Sequence, residues 1–295
     1  MESNIQVKGK GRQPYSSISY RPELDLSPFC NEAQTQLYQN FIGMLRWAVE
    51  LGRIDILLET AQMSCYMENP RIGQLHQLFH IFHYLKHHIS SWIPMDPEKL
   101  DINWSGEDNE SPQERRKIMK TLYRDAKEEI PMNAPTPRGR SVQTNAHIDA
   151  DHAGNKVTRK SQTGILIFCN MAPVIWYSKR QNTVETSTFG SEYIALRTGT
   201  EMIIALRYKL RMMGVPLDGP TNVFCDNESV VKSSVNPETT LKKKHVSIAF
   251  HKCRDSFAAG AINVFFQRSS ENLADLFTKV LPVDKRKEIF RGIFF

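Results

Sequence analysis

The sequence predicts an α/β protein: a five-stranded mixed sheet flanked by helices, preceded by a small all-α unit. Three observations carry this prediction. From Val142 onward, short runs rich in β-branched and aromatic residues alternate with segments of helical period, the pattern of an α/β layer. Two of those runs, Gly164–Cys169 and Pro173–Ser178, are separated by a short turn and read as a hairpin. Between Asn31 and about Ile93, apolar residues recur only at helical spacing.

Residues 1–30 are polar, basic and poor in periodic apolar residues, and read as a flexible lead-in. Residues 31–93 hold three amphipathic segments. Tyr38, Phe41, Ile42, Leu45 and Val49 mark the first, Ile54, Leu57, Leu58 and Ala61 the second, and Leu75, Leu78, Phe79, Phe82 and Leu85 the third. Asn69-Pro70 punctuates before the third. Residues 94–141 carry an acidic stretch around Asp108 and end in Pro131, Pro135 and Pro137; they read as a linker with a short helix over Pro112–Glu129. The sheet unit covers residues 142–282. Val142–Asp149 is its first strand, and the hairpin supplies the next two. Thr188–Met213 is a long helix with Gly214 as its C-cap. Asn222–Cys225 is a strand, Glu228–Ser234 a short helix, and Lys242–Ala259 a helix ending at Gly260. Ile262–Phe266 is the fifth strand, and Leu273–Val280 a helix stopped at Leu281-Pro282. Residues 283–295 form a tail.

A chain of 295 residues can fold two domains, each with its own core. Its 40% hydrophobic and 24% charged content are those of an ordinary soluble protein. The net charge of +6 favours an anionic partner, nucleic acid first. The five cysteines are scattered and form no Cys-x-x-Cys pair, which argues against a disulfide scaffold and for a reducing, intracellular compartment. Met1–Arg12 is polar and basic, unlike a signal peptide. No apolar stretch approaches the ~18 residues that cross a bilayer, so no membrane partner is expected.

Four acids are the most informative residues: Asp149 in His-Ile-Asp-Ala-Asp, Glu192 in Ser-Glu-Tyr, Asp226 in Phe-Cys-Asp-Asn and Asp275 in Leu-Ala-Asp-Leu. Asp149 and Asp226 follow β-prone runs, and ligand groups concentrate at strand ends in α/β sheets. Glu192 and Asp275 sit in helical runs. Taken singly, a strand-end acid is more often a turn former or helix cap. Taken together, the four can form one oxygen-rich cluster, and divalent metal ions are the usual reason such mutual repulsion is tolerated. Hard oxygen ligands suit Mg²⁺ or Mn²⁺, and a pair of such ions is suited to phosphodiester cleavage.

The motifs around these acids resemble the ribonuclease H domain of copia-type retrotransposon polyproteins. The matching stretches include Asp149-Ala-Asp-His-Ala-Gly154, Arg159-Lys-Ser-Gln-Thr-Gly164, Ser191-Glu-Tyr-Ile-Ala-Leu196, Cys225-Asp-Asn-Glu-Ser229 and Leu273-Ala-Asp-Leu-Phe-Thr-Lys279, in the family's order. The earlier stretches Tyr38–Trp47, Asn69–Gly73 and His83–Lys86 look like the thumb and connection that follow the family's reverse-transcriptase core. The resemblance implies a ribonuclease H-like fold. It makes Asp149, Glu192, Asp226 and Asp275 the catalytic, metal-binding tetrad for two Mg²⁺ ions, with Mn²⁺ a possible substitute. The implied substrate is an RNA–DNA hybrid whose RNA strand is hydrolysed. The missing polymerase core and other polyprotein products are further implied partners. No Asp-Asp dipeptide occurs, so DNA synthesis by this chain alone is not expected.

Arg159, Ser191 and Asn227 are candidates for polar contact with the hybrid; ordinary turn or cap polarity is the even alternative. Lys242, Lys243, Lys244 and His245 form the densest positive run and are candidates for phosphate contact. Asp151 reads as a cap of the following turn or a supporting acid. His76, His80, His83 and His87 share one helical face, with no Cys or acid at ligand spacing to complete a zinc set, and read as the solvent face. Two features depart from the family. Phe189-Gly190 stands where many members carry a further acid, and no histidine lies between Phe265 and Asp275, where some ribonucleases H have one. The expected function is a metal-dependent hybrid ribonuclease. The alternatives are a catalytically idle remnant that only binds nucleic acid and, less favoured, an integrase or transposase nuclease. The latter end their acid set with Glu on a late helix, whereas this set ends with Asp275.

Overall fold

The near-continuous apolar run of the second strand, Gly164-Ile-Leu-Ile-Phe168, requires burial on both faces, and the molecule provides it. The computed structural model describes residues 12–90, 93–100, 111–241, 244–291 and 293. Five strands form one sheet: β1 Thr144–Asp151, β2 Gln162–Cys169, β3 Ala172–Arg180, β4 Thr221–Cys225 and β5 Ile262–Phe266. Their spatial order is β3-β2-β1-β4-β5. β1, β2 and β3 pair antiparallel, whereas β4 runs parallel to both β1 and β5. This is the mixed sheet that the sequence predicts. β1 runs two residues past its predicted end, because the Asp151 carboxylate accepts the Gln162 backbone N–H and keeps the edge of the ladder closed.

Alternate side chains of β2 enter different cores, as the period of a strand dictates. Ile165 and Ile167 join Ala146 and Ile148 under the helices α5 (Thr188–Met212), α6 (Glu228–Val235) and α7 (Ser247–Ala258). Leu166 and Phe168 join the opposite core, built from α1 (Glu32–Glu50), α2 (Leu57–Met63), α3 (Ile72–His87) and the final helix α8 (Val283–Arg291). The remaining helix, α4 (Pro112–Leu122), lies against α7; Met119 is fully buried there and Arg116 Nε donates to the Phe257 carbonyl. It stops at Leu122, short of the predicted Glu129. Glu128 instead turns inward and accepts from Arg207 and Arg211 of α5.

The helical unit is joined to the sheet by specific contacts. Trp176 on β3 donates its indole N–H to the Val49 carbonyl at 3.1 Å. Arg286 on α8 donates to Glu59 on α2 at 2.8 Å, both side chains being almost fully buried. Residues 12–30, read from the sequence as flexible, fold over the helices: Tyr15 is fully buried and its hydroxyl donates to Gln62 at 3.0 Å. Tyr15 and Pro22 bury with nothing more regular around them than a 3-10 turn over Pro22–Leu24, while Ile18, Leu24, Leu26 and Phe29 stay exposed, so no period announces the docking. Met1–Gly11 lie outside the described residues. The last predicted helix is a 3-10 turn over Leu273–Phe277.

Candidate metal centre

The sheet register creates the site. Ile148 on β1 lies opposite Cys225 on parallel β4, so the next residue of each chain segment, Asp149 and Asp226, emerges at the same end of the sheet. Glu192 arrives from α5, two turns before Gly199. A Cβ at Gly199 would stand 2.3 Å from Ile148 Cδ1, so glycine lets α5 settle against β1. Asp149, Glu192 and Asp226 each offer a carboxylate oxygen, and these oxygens lie within 4.8 Å of one another. Asp149 and Glu192 are buried and Asp226 is half-buried.

Three carboxylates so close resist sharing negative charge. Burial, opposed by Lys279 and reinforced by Asp275 and Asp226, raises the Asp149 carboxyl to about 6. Burial, together with Asp149 and Asp226, pushes Glu192 well above the ordinary value. An oxygen-only donor set under this strain fits a hard divalent cation such as Mg²⁺ or Mn²⁺.

Asp275, the fourth predicted ligand, stands apart from that trio. Its 3-10 turn is capped by fully buried Asn272, which also donates to the Ile148 carbonyl at 2.9 Å and so pins the turn to β1. Gly164, opposite Asp149 on β2, makes room: a Cβ there would meet Thr278 Cγ2 at 2.7 Å and the Ala274 carbonyl at 2.8 Å. The Asp275 carboxylate is taken by two lysines, with Lys279 Nζ at 2.7 Å from Oδ1 and Lys285 Nζ at 3.3 Å from Oδ2. Lys279 Nζ also lies 3.2 Å from Asp149 Oδ2, which accepts the Thr278 hydroxyl as well. Burial opposes charge on Lys279, but Asp149 and Asp275 outweigh it and hold the ammonium above the usual lysine range. The Ser269 hydroxyl donates to Asp226 Oδ2 at 2.6 Å, from the loop that lacks a histidine.

Among the predicted nucleic-acid contacts, Arg159 and Lys244 are exposed, Arg159 on a left-handed turn with φ 56°. Exposed His245 lies 3.0 Å from Glu185 Oε2. Asn227 caps α6 by accepting from Val230 N–H. Ser191 is fully buried; its hydroxyl donates to the Thr188 carbonyl and lies 3.4 Å from His152 Nδ1, away from solvent. Lys242 and Lys243 lie outside the described residues. The histidine face of α3 is not wholly solvent-exposed either. His80 is buried, and backbone contacts from Gln13 and Tyr15 of the preceding segment cover it.

The sequence did not single out a cavity of about 160 Å³ beside the acids, where Arg21, Lys156, Lys160, Arg180 and Lys279 converge around Asp151 and Glu23. The sheet brings Arg180 there, because it pairs with Gln162, which pairs with Asp151.

No family model matches this sequence. The retrovirus-related Pol polyprotein from transposon TNT 1-94 of Nicotiana tabacum is 36% identical over 140 residues, covering 47% of this chain and 10% of that protein. The corresponding polyprotein from transposon RE1 of Arabidopsis thaliana is 29% identical over 144 residues, covering 49% of this chain and 10% of that protein. The chain is a homologue of part of these plant transposon Pol polyproteins. It spans only about a tenth of their length. Among solved structures, LC11-RNase H1 in complex with an RNA/DNA hybrid is similar, with TM-score 0.38, 18% identity, and coverage of 46% of this chain and 94% of that one. Among the described residues, no helix is long and apolar enough to cross a membrane.

Proposed function

We propose that the chain is a metal-dependent endonuclease that hydrolyses the RNA strand of RNA–DNA hybrids, as the ribonuclease H part of a copia-type reverse transcriptase. The observation that carries this reading is the convergence of Asp149, Glu192 and Asp226 within 4.8 Å, from two parallel strands and one helix. These three, with Asp275 beside them, would hold divalent ions, two when fully loaded. Such ions supply charge stabilisation of the transferring phosphate, activation of a water and stabilisation of the leaving 3′-oxygen.

The protein's own groups prepare the site. Thr278 fixes the Asp149 carboxylate by a hydrogen bond, and Ser269 fixes that of Asp226. Asn272 holds the Asp275 turn against β1. The cationic cavity beside the acids suits phosphates of the bound duplex, with Arg159, Lys244 and His245 as outer contacts. Residues 31–93, read as the thumb and connection remnant of the polymerase, contribute Gln62, Cys65 and Tyr66 to the lining of that cavity.

One observation favours a second reading, a remnant that binds hybrid without cutting it: Lys279 already neutralises part of the cluster. Purified protein with a labelled RNA–DNA hybrid, with and without Mg²⁺, beside Asp226→Asn, separates the two. Cleavage by the wild type alone and only with Mg²⁺ is expected. Hybrid bound but left intact would establish the idle reading instead, and equal cleavage by both proteins would move the site elsewhere.

A further inference from the structure

The acid cluster contains two places for positive charge, and the chain fills one of them itself. The first lies among Asp149, Glu192 and Asp226. The second lies between Asp149 and Asp275, where Lys279 Nζ sits 3.2 Å from Asp149 Oδ2 and 2.7 Å from Asp275 Oδ1. We propose that Lys279 is a built-in cation of this centre: the free protein takes one divalent ion, at Asp149, Glu192 and Asp226, and a second only when the Lys279 side chain withdraws. The inference rests on the metal reading above and concerns the same site.

Four features support it. Lys279 follows Asp275 by four residues, just past the 3-10 turn, and its backbone N–H donates to the Asp275 carbonyl at 3.0 Å, so the pair is preformed rather than gathered by a ligand. Its side chain is 40% exposed, whereas those of Asp149 and Asp275 are 0% and 3%. A flexible four-carbon stem with one open side can swing to solvent while the acids stay fixed. An ammonium and a divalent ion sharing one carboxylate pair repel at contact distance, so the two occupancies exclude each other. Lys285, 3.3 Å from Asp275 Oδ2, keeps that carboxylate compensated while Lys279 is away. A nucleic-acid phosphate entering the neighbouring cavity, which Lys279 also lines, offers the displaced ammonium a new anion. Lys279 is thus a positioning residue that sets how many ions the site holds before substrate arrives.

The test is the stoichiometry of Mn²⁺ binding to the free protein, by calorimetry and by electron paramagnetic resonance of unbound Mn²⁺. Wild type, Lys279→Arg, Lys279→Met and Lys279→Gln are compared. One ion is expected on wild type and on the arginine variant, and two on each neutral variant. Two ions on wild type would overturn the proposal whatever the variants do, even if the neutral ones fail to fold. One ion on all four would overturn it as well, while leaving the metal centre standing. No saturable binding to wild type, or binding untouched by Asp226→Asn, would remove the metal reading and this inference together.

Discussion

Replacing Arg286 by Met should weaken the docking of α8 on α2 while roughly keeping the side chain's volume. Arg286 Nη1 donates to Glu59 Oε1 at 2.8 Å, and the side chains are 5% and 1% exposed. It also donates to the Asp55 carbonyl and lies over the Phe290 ring at 5.1 Å. Breaking a buried pair by removing one partner costs roughly 3–5 kcal/mol, because the other charge stays buried and uncompensated. Here the lower end applies, about 3 kcal/mol, because burial already raises the Glu59 carboxyl despite Arg286, and a proton can replace the lost guanidinium. The sign of the pH effect follows. Without Arg286 the folded-state value of Glu59 rises further above its unfolded one, so its contribution is most favourable at low pH and is lost as pH rises. The deficit of Arg286→Met against wild type should therefore shrink on going from pH 7 to pH 5. Urea denaturation followed by circular dichroism and by tryptophan fluorescence measures this. Glu59→Gln with Arg286→Met should recover at least half of the loss. A single-variant loss under about 0.5 kcal/mol, or a double variant as unstable as the single one, would refute the reasoning.

Three further outcomes are expected. Gly164→Ala should destabilise by about 1–3 kcal/mol, because the new Cβ meets the Ala274 carbonyl, a backbone atom, and displaces the turn carrying Asp275; hybrid cleavage should fall with it. Arg180→Ala should weaken hybrid binding alike across sequences and lower the slope of log affinity against log salt by about 1, as measured by fluorescence anisotropy. His147 is buried against Phe224, and burial lowers its imidazole to about 4. A lowered base contributes stability that disappears as pH falls from the unfolded value of about 6.5 towards 4. His147→Phe should thus gain about 3 kcal/mol relative to wild type over that span, in matched denaturation curves at the two ends.

Much of the sheet and of the acid cluster was legible in the sequence. Ile-Asp-Ala-Asp and Phe-Cys-Asp-Asn place acids just after apolar strand residues, and parallel pairing of those strands suffices to bring Asp149 to Asp226. Glu192 follows from the helical period of its segment. The lysine in the cluster was not legible, although Lys279 lies inside a stretch the resemblance had marked. Whether a lysine four residues beyond an acid pairs with it or points to solvent depends on what packs around the turn, here β1, Asn272 and Gly164. Ser191 and His80 show the same limit. Each is polar and lies on a face that period alone leaves ambiguous, and both are buried, Ser191 with its hydroxyl 3.4 Å from His152 Nδ1. For His80 the cover is the aperiodic segment around Tyr15, which carries no pattern to announce its docking.

The claim that Asp149, Glu192 and Asp226 form a metal centre is tested most directly by anomalous diffraction from crystals grown with Mn²⁺. One anomalous peak within ligand distance, about 2.0–2.4 Å, of an oxygen from each of the three carboxylates is predicted. It should vanish in Asp226→Asn crystals grown alike. Crystals with no Mn²⁺ peak at these residues, or with ions bound only elsewhere, would contradict the account.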